Sequence, residues 1–373
     1  MTNTRYAILA CVVTLMCIGI VAVYSGGASI YGAERGYLAV AQKQMMWVLL
    51  AAVVMVAFSL VDYHLLEKYS GAILILAFIA LVLVHVIGVR INSARRWIRI
   101  GSVTVQPAEF FKIAIVIYMA RFLSTKQRKI RQFLYGFLPP MILATMGSFL
   151  IVAQPDFGTA VLIAAVVYTM VVVAGVKLLH ALIMLPAALP LIGYLIVAAP
   201  YRLKRIMVFL DPWKDPQGAG YQITQSLIAL GSGGLTGVGP GLGMQKEGFT
   251  PEHLTDFIFS VIGEEMGLAG TAGVVLICAL LLYLGSRVVR MACDSFGSML
   301  AFGILFTIAL QTVINMGVVT CMLPTKGLPL PFISAGGSSM VAMAAGIGIV
   351  LNIASHVEKD EPVRLPGVQR ATI

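Results

Sequence analysis

The chain has 373 residues, 59% of them hydrophobic and only 11% charged, with a mean hydropathy of +0.94. A soluble domain carries about 25% charged residues, so the polar groups here are too few to cover a water-facing surface, and an integral membrane protein is expected instead. The net charge of +10 then points to anionic lipid or an anionic substrate; with no basic domain interleaved with aromatics, no nucleic acid partner is expected.

The N-terminal stretch "MTNTRYAILACVVTLMCIGIVAVYSGGAS" resembles a signal peptide at first sight. Its apolar run of roughly 18 residues exceeds the 7–15 of a signal h-region, so an uncleaved first span is expected. A helix crosses the bilayer with about 20 apolar residues. On that measure spans are predicted at 7–27, 46–62, 72–89, 107–123, 136–153, 157–175, 179–199, 257–284, 298–320 and 335–355. The expected fold is therefore an all-α polytopic bundle of about ten transmembrane helices, or nine if the fifth and sixth fuse across "QPDFGT". It forms a single membrane domain over 1–373, with one large extracytoplasmic loop at about 200–256 and a tail at about 356–373.

An even count puts both termini on one side, and the positive-inside rule chooses which. The clearest cytoplasmic loop is "RFLSTKQRKIRQF", with Arg121, Lys126, Arg128, Lys129 and Arg131. Lys177, Arg287, Arg290 and the charged tail fall on its side, so both termini are predicted to be cytoplasmic. The opposite face also holds many cations, among them Arg90, Arg95, Arg96 and Arg99 in a short loop. Cations kept there suggest an anionic ligand. Trp97, set among those arginines, reads either as an interfacial anchor or as a residue that grips a lipid head group with Arg95 or Arg96.

The fourth span opens "QPAEFFKIA", placing Glu109 and Lys112 three residues apart on one helical face. A charge in hydrocarbon costs roughly 2.5 kcal/mol or more, so it faces a cavity or a partner. The two form either an internal ion pair or part of a polar cavity. In the long loop, an amphipathic helix is expected at about 219–230, with Tyr221, Ile223, Leu227 and Ile228 as its apolar face. "GSGGLTGVGPGLG" follows. It lacks the strand and helix of a dinucleotide fold and the GK[ST] of a P-loop. It reads equally as a turn hugging the membrane or as a glycine nest whose N–H groups cradle phosphate.

At 250–265 "TPEHLTDFIFSVIGEE" runs straight from polar residues into an apolar helix. Thr255 or Asp256 could cap that helix. A carboxylate at the water–lipid boundary beside cations is also placed to take a proton from a hydroxyl or to hold a divalent metal. Glu264 and Glu265 point about 100° apart, so they cannot share one environment: one is expected to pair with a loop cation and the other to face a polar groove. The five cysteines (11, 17, 278, 293, 321) are scattered, and no Cys/His spacing indicates a zinc site or a disulfide framework.

Taken together, "RRWIRIG" (95–101), "QPAEFFK" (106–112), "QPDFGT" (154–159), "FLDPWKDPQGAGYQITQSLIALGSGG" (209–234), "PEHLTDFIFSVIGEEMG" (251–267) and "TKGLPLPFISAGGSS" (325–339) resemble the SEDS family of polytopic bacterial envelope proteins over nearly the whole chain. The forms "GYQ..QSL", "VIGEE" and "TKGLPLPF" look more like the division member than the elongation member. The sequence departs from the family pattern at Ala108, usually Ser; at Ala335, usually Tyr; and at His253-Leu254, where His usually directly precedes Thr-Asp. The last puts any role for that imidazole in doubt but retains Asp256.

The resemblance implies a peptidoglycan glycosyltransferase that polymerises lipid II at the outer face of the cytoplasmic membrane, beside a class B penicillin-binding protein transpeptidase and other division-complex membrane proteins. The leaving lipid diphosphate needs charge stabilisation, and the acceptor sugar hydroxyl needs a base, so one carboxylate can suffice. Asp256 is the expected base. Its partners are expected among Arg95, Arg96, Trp97, Glu109, Lys112, Arg202, Arg205, Lys246, Lys326 and Ser338. No protein-only metal site is expected, while a divalent cation, Mg²⁺ or Mn²⁺, stays open. A lipid II flippase and a non-catalytic division scaffold are the rival readings.

Overall fold

The computed structural model describes residues 2–30, 34–91, 94–101, 103–243 and 254–360. Lys246 and His253 lie outside them. The described chain forms α1 (Thr2–Ile30), α2 (Glu34–Leu60), α3 (Tyr63–Ile87), α4 (Pro107–Thr125), α5 (Leu138–Val152), α6 (Phe157–Val173), α7 (Leu178–Val197), α8 (Pro200–Leu210), α9 (Tyr221–Gly233), α10 (Ile258–Met291), α11 (Ser295–Val319) and α12 (Gly337–Asp360).

Helices stand at all ten predicted spans, and the fifth and sixth are separate, divided at 153–156. Seven described helical segments are long and apolar enough to cross a membrane, and α6 is a shorter apolar helix. Helix ends depart from the predicted limits where polar turns extend a span beyond its apolar run. Thus α2 starts at Glu34 rather than 46, and α3 starts at Tyr63 rather than 72, because Asp62 caps it by accepting from His64 N at 3.0 Å.

One part is not helical. Residues 89–105 form a three-stranded antiparallel sheet in the order β1 (Val89–Ile91), β2 (Ala94–Ile100), β3 (Val103–Val105). It corrects the all-α expectation locally: β-branched residues alternate here, and Gly101 at φ 63° turns the chain between β2 and β3.

Buried on nearly every side, α4 is the central helix, with Phe111, Ile115, Val116, Met119 and Ala120 fully or almost fully enclosed. Such a position tolerates charge only in pairs. Lys112 Nζ lies 2.8 Å from Glu109 Oε2, off the line of an aligned hydrogen bond, and donates its aligned bond to Gln311 Oε1 of α11 at 2.7 Å. The ion pair forms, and Glu109 also lines the cavity described below, so both readings of this motif are met in part.

The predicted amphipathic helix appears as α9, but its buried face is Ile223, Thr224, Ser226 and Ala229, and Ile228 is exposed. Its C-terminal continuation has an unexpected role. Helix α10 breaks at Gly267 (φ 63°, ψ −159°), and the glycine-rich stretch enters the break. Val238 N donates to Glu264 O and Gly239 N to Glu265 O, both at 3.0 Å, while Leu268 N and Ala269 N donate to Gly234 O and Leu235 O at 2.9 and 3.1 Å. The backbone groups freed by the break are thus satisfied by a neighbouring loop. The amides of Val238 and Gly239 are committed there, so they are not a phosphate cradle. Glu264 and Glu265 are both buried, and Glu265 Oε1 accepts from Ser25 Oγ of α1 at 2.5 Å.

Successive spans alternate in direction. The sheet, α8, α9 and the 320–336 segment therefore gather at one end of the bundle, and the chain termini at the other. Long-range contacts agree: Arg5 pairs with Glu358 at 3.2 Å, Tyr63 Oη donates to Asp294 Oδ2 at 2.6 Å, and Gln127 Nε2 donates to Ser295 Oγ at 2.6 Å, all at the terminal end.

Candidate active site

At the end away from the termini, a cavity of about 620 Å³ opens between α2, the sheet, α4, α6, α8 and the segments 255–257 and 324–339. Asp256 lines it. The position of Asp256 is set by backbone straps. Asn315 Nδ2 of α11 donates to Asp256 O at 2.8 Å and to Leu328 O at 2.7 Å, clamping two loops together. Ser334 Oγ donates to Thr255 O and accepts from Leu330 N at 2.7 Å, and Ala335 N donates to Leu254 O at 3.0 Å. The straps use "TKGLPLPFIS" to hold the segment before α10. A methyl group at Gly327 would fall 2.5 Å from Asp256 Oδ2, so the carboxylate needs glycine there. Asp256 does not cap α10; the cap residue is Phe257, with no side-chain hydrogen bond.

Of the other expected residues, Arg96, Trp97, Glu109, Arg202, Arg205, Lys326 and Ser338 line the same cavity. Their charges are partly committed to the walls. Arg96 Nε donates to Gln154 O at 3.0 Å and its Nη2 to Pro155 O, fixing the α5–α6 turn. Arg202 Nη1 donates to Leu195 O at 2.7 Å, and its guanidinium stacks over Phe157 and Tyr201 at 5.1 and 5.3 Å from the ring centroids. Arg205 Nη1 reaches Thr325 O at 3.3 Å. Lys326 Nζ sits over Phe157 at 5.2 Å. Burial lowers the pKa of its ammonium below the ordinary 10.5, opposed by the Asp156 carboxylate. Ser338 Oγ accepts from Gln106 N at 3.0 Å.

Two expected residues stand apart from the cavity lining. Arg95 is not part of the lining, and its Nη1 donates to His85 O at 3.3 Å. Lys112 lies one turn deeper, paired with Glu109. Lys43, Trp47, Gln106, Asp156, Phe157 and Gln222 also line the cavity without having been singled out in the sequence. Asp156 is the most consequential of them. It caps α6: Oδ1 accepts from Thr159 N at 3.2 Å, and Oδ2 accepts from Thr159 Oγ1 at 2.9 Å and Gln106 Nε2 at 3.2 Å. Its place in "QPDFGT", directly before a helix, was the available signal.

The arrangement brings the Asp256 carboxylate together with Asp156 and Glu109, several cations and an aromatic wall around one space. Such a space can hold an anionic head group while a hydroxyl is deprotonated beside it.

Known proteins agree with this architecture. A family model described as "Cell cycle protein" and covering FtsW, RodA and SpoVE matches residues 5–359. A probable peptidoglycan glycosyltransferase FtsW from Geobacter sp. (strain M18) is 42% identical over 358 residues, spanning 94% of this chain and 96% of the relative. Stage V sporulation protein E of Bacillus subtilis (strain 168) is 38% identical, over 92% of this chain and 94% of its own. Among solved structures, a chain from work on structural coordination of polymerization and crosslinking by a peptidoglycan synthase complex matches with TM-score 0.80 at 26% identity, covering 95% of this chain and 98% of that one. The rod shape determining protein RodA of Thermus thermophilus shares the fold, with TM-score 0.71 at 24% identity over 95% and 98% of the two chains. The motifs, the helical order and these matches agree, and the chain belongs to the FtsW/RodA/SpoVE family of cell cycle proteins, the SEDS family.

Proposed function

We propose that the chain is a peptidoglycan glycosyltransferase that polymerises lipid II into glycan strands, with Asp256 as the base that activates the acceptor sugar hydroxyl. The observation that carries this reading is the single cavity shared by Asp256, Arg202, Arg205 and Lys326, which come from separate segments of the chain. The relatives named peptidoglycan glycosyltransferase support it. In the proposed reaction the hydroxyl oxygen attacks the anomeric carbon of the donor, its proton passes to Asp256, and the bond to the lipid diphosphate breaks. The departing diphosphate takes up negative charge, and Arg202, Arg205 and Lys326 steady it.

A divalent cation, Mg²⁺ or Mn²⁺, fits beside Asp256, since Mg²⁺ needs only one or two carboxylates in addition to substrate phosphates. Such an ion would neutralise charge on the diphosphate.

The proposed setting is the bacterial cytoplasmic membrane at the division septum, with both termini in the cytoplasm and the cavity outside. A class B penicillin-binding protein is the proposed transpeptidase partner, in keeping with the match to a peptidoglycan synthase complex; other division-complex membrane proteins would join it.

The test uses the purified protein with its penicillin-binding partner and labelled lipid II in detergent, where flipping has no meaning. Glycan chains from the native protein and none from Asp256→Ala are expected. No polymer under any partner or metal condition would return the flippase and the scaffold to contention.

A further inference from the structure

At the terminal end of the bundle, remote from the cavity, three side chains converge from two places in the chain. Asp62 and His64 flank the start of α3, and His356 sits in the last turns of α12. Their ligand atoms all lie within 4.8 Å of one another. His64 Nδ1 is 2.8 Å and His356 Nε2 is 3.8 Å from Asp62 Oδ1.

The outer nitrogens of both rings are tied to groups that can only accept. His64 Nε2 lies 3.0 Å from Asp294 Oδ2, and His356 Nδ1 lies 3.1 Å from Asn352 O. Each outer nitrogen therefore carries the proton. His64 Nδ1 and His356 Nε2 are the nitrogens left to face the Asp62 carboxylate. In the metal-free site a proton on His64 Nδ1 bridges to Asp62; a cation takes that proton's place and reaches all three ligand atoms.

The surroundings also suit a cation. Asp294, which receives His64 Nε2–H, is itself held by Tyr63 Oη at 2.6 Å and by Gly297 N at 2.5 Å. A carboxylate that orients a ligating imidazole in this way is the usual outer shell of a metal site. Asn352 Oδ1 accepts from Tyr63 N at 3.0 Å, and its Nδ2 donates to Ser59 O at 2.9 Å, so α12 is already fastened to the α2–α3 turn. Two carboxylates and two neutral imidazoles balance a dication. The Asp62 and His64 side chains are half exposed, which leaves an entry path from water.

We propose that Asp62, His64 and His356 form a binding site for a divalent transition metal, with zinc favoured by the ligand set. The ion is held by one carboxylate oxygen, His64 Nδ1 and His356 Nε2, with water completing the shell. It staples the far end of α12 to the α2–α3 turn, and through Asp294 to the α10–α11 turn. The other end of α12, at Ser338 and Ser339, lines the cavity. The staple thus fixes the foot of a helix whose head forms part of the proposed active site.

The test uses the full chain, purified in detergent on a tag without histidine, stripped with chelator and dialysed against Zn²⁺ alone. About one zinc per chain is expected to remain bound, and zinc is expected to raise the melting temperature. His356→Gln and His64→Gln should lose both effects, and Asp294→Asn should bind about 10–100-fold more weakly. Bound Co²⁺ should show a visible absorption band in the native protein that His356→Gln lacks. The proposal is overturned if the native protein retains no zinc, or if the variants retain as much as it does. Should a histidine variant fail to fold, Asp62→Asn in the same dialysis decides by the same criterion.

Discussion

Lys112 and Glu109 put two charged side chains inside a largely buried helix, with side-chain exposures of 1% and 3%. Desolvating two ions is compensated there by their mutual attraction and by the bond to Gln311. Removing one partner strands the other, so Lys112→Met is expected to lower stability by about 3–5 kcal/mol. The double variant Lys112→Met with Glu109→Gln should recover most of that loss, because a neutral amide at 109 needs no counter-charge. Thermal melting of the two variants in detergent checks the pair. Equal melting temperatures for Lys112→Met and the native protein would mean that water reaches Glu109 and screens it.

Among the elements, α10 has the least ordinary geometry, and its tolerance of substitution should differ sharply along its length. At Gly267 the positive φ with extended ψ is a region open almost only to glycine, and an added methyl would meet Gly237 N at 2.4 Å. Six residues on, a methyl at Gly273 meets nothing within 4 Å. Gly267→Ala is therefore expected to destabilise by at least about 1–3 kcal/mol, and Gly273→Ala to stabilise by about 0.5–1 kcal/mol. Melting temperatures moving in the same direction for both would refute the break as an intrinsic feature of the fold. This break could not be read from the sequence, where Gly267 is one more glycine in an apolar run and the loop that enters it lies some 30 residues earlier. Apolar length did make the membrane helices legible, and it missed their polar first turns for the same reason. The sheet was missed because two of its strands are only three residues long, too short for alternation to register. The cavity was half legible. Asp256, Arg202, Arg205 and Lys326 stood out as charges beside apolar spans. Asp156 reads as a plain helix cap, and nothing local says that a cap will also face the cavity. The Asp62–His64–His356 cluster escaped because its members are nearly 300 residues apart.

For the molecule as a whole, the cations at the cavity end posed a conflict with the positive-inside rule, and the fold resolves it. Arg95, Arg96, Arg202 and Arg205 each donate to a main-chain carbonyl. The fold thus holds them at this end, and Arg96, Arg202 and Arg205 among them line the cavity, where an anionic ligand gives a reason to keep them. At the other end, Lys126, Lys129 and Arg131 stay in an exposed loop, and Arg287 and Arg290 close α10. The terminal end should therefore face the cytoplasm. Cys293, exposed in the α10–α11 turn, reports on that end, and Trp213, 57% exposed after α8, reports on the other. In a background with the remaining cysteines replaced, a membrane-impermeant maleimide applied to intact spheroplasts is expected to label Trp213→Cys and spare Cys293. Inverted membrane vesicles should give the reverse pattern. Labelling of Cys293 from outside would turn the molecule over, bring the cavity to the cytoplasmic face, and remove the proposed base from the side on which glycan strands are assembled.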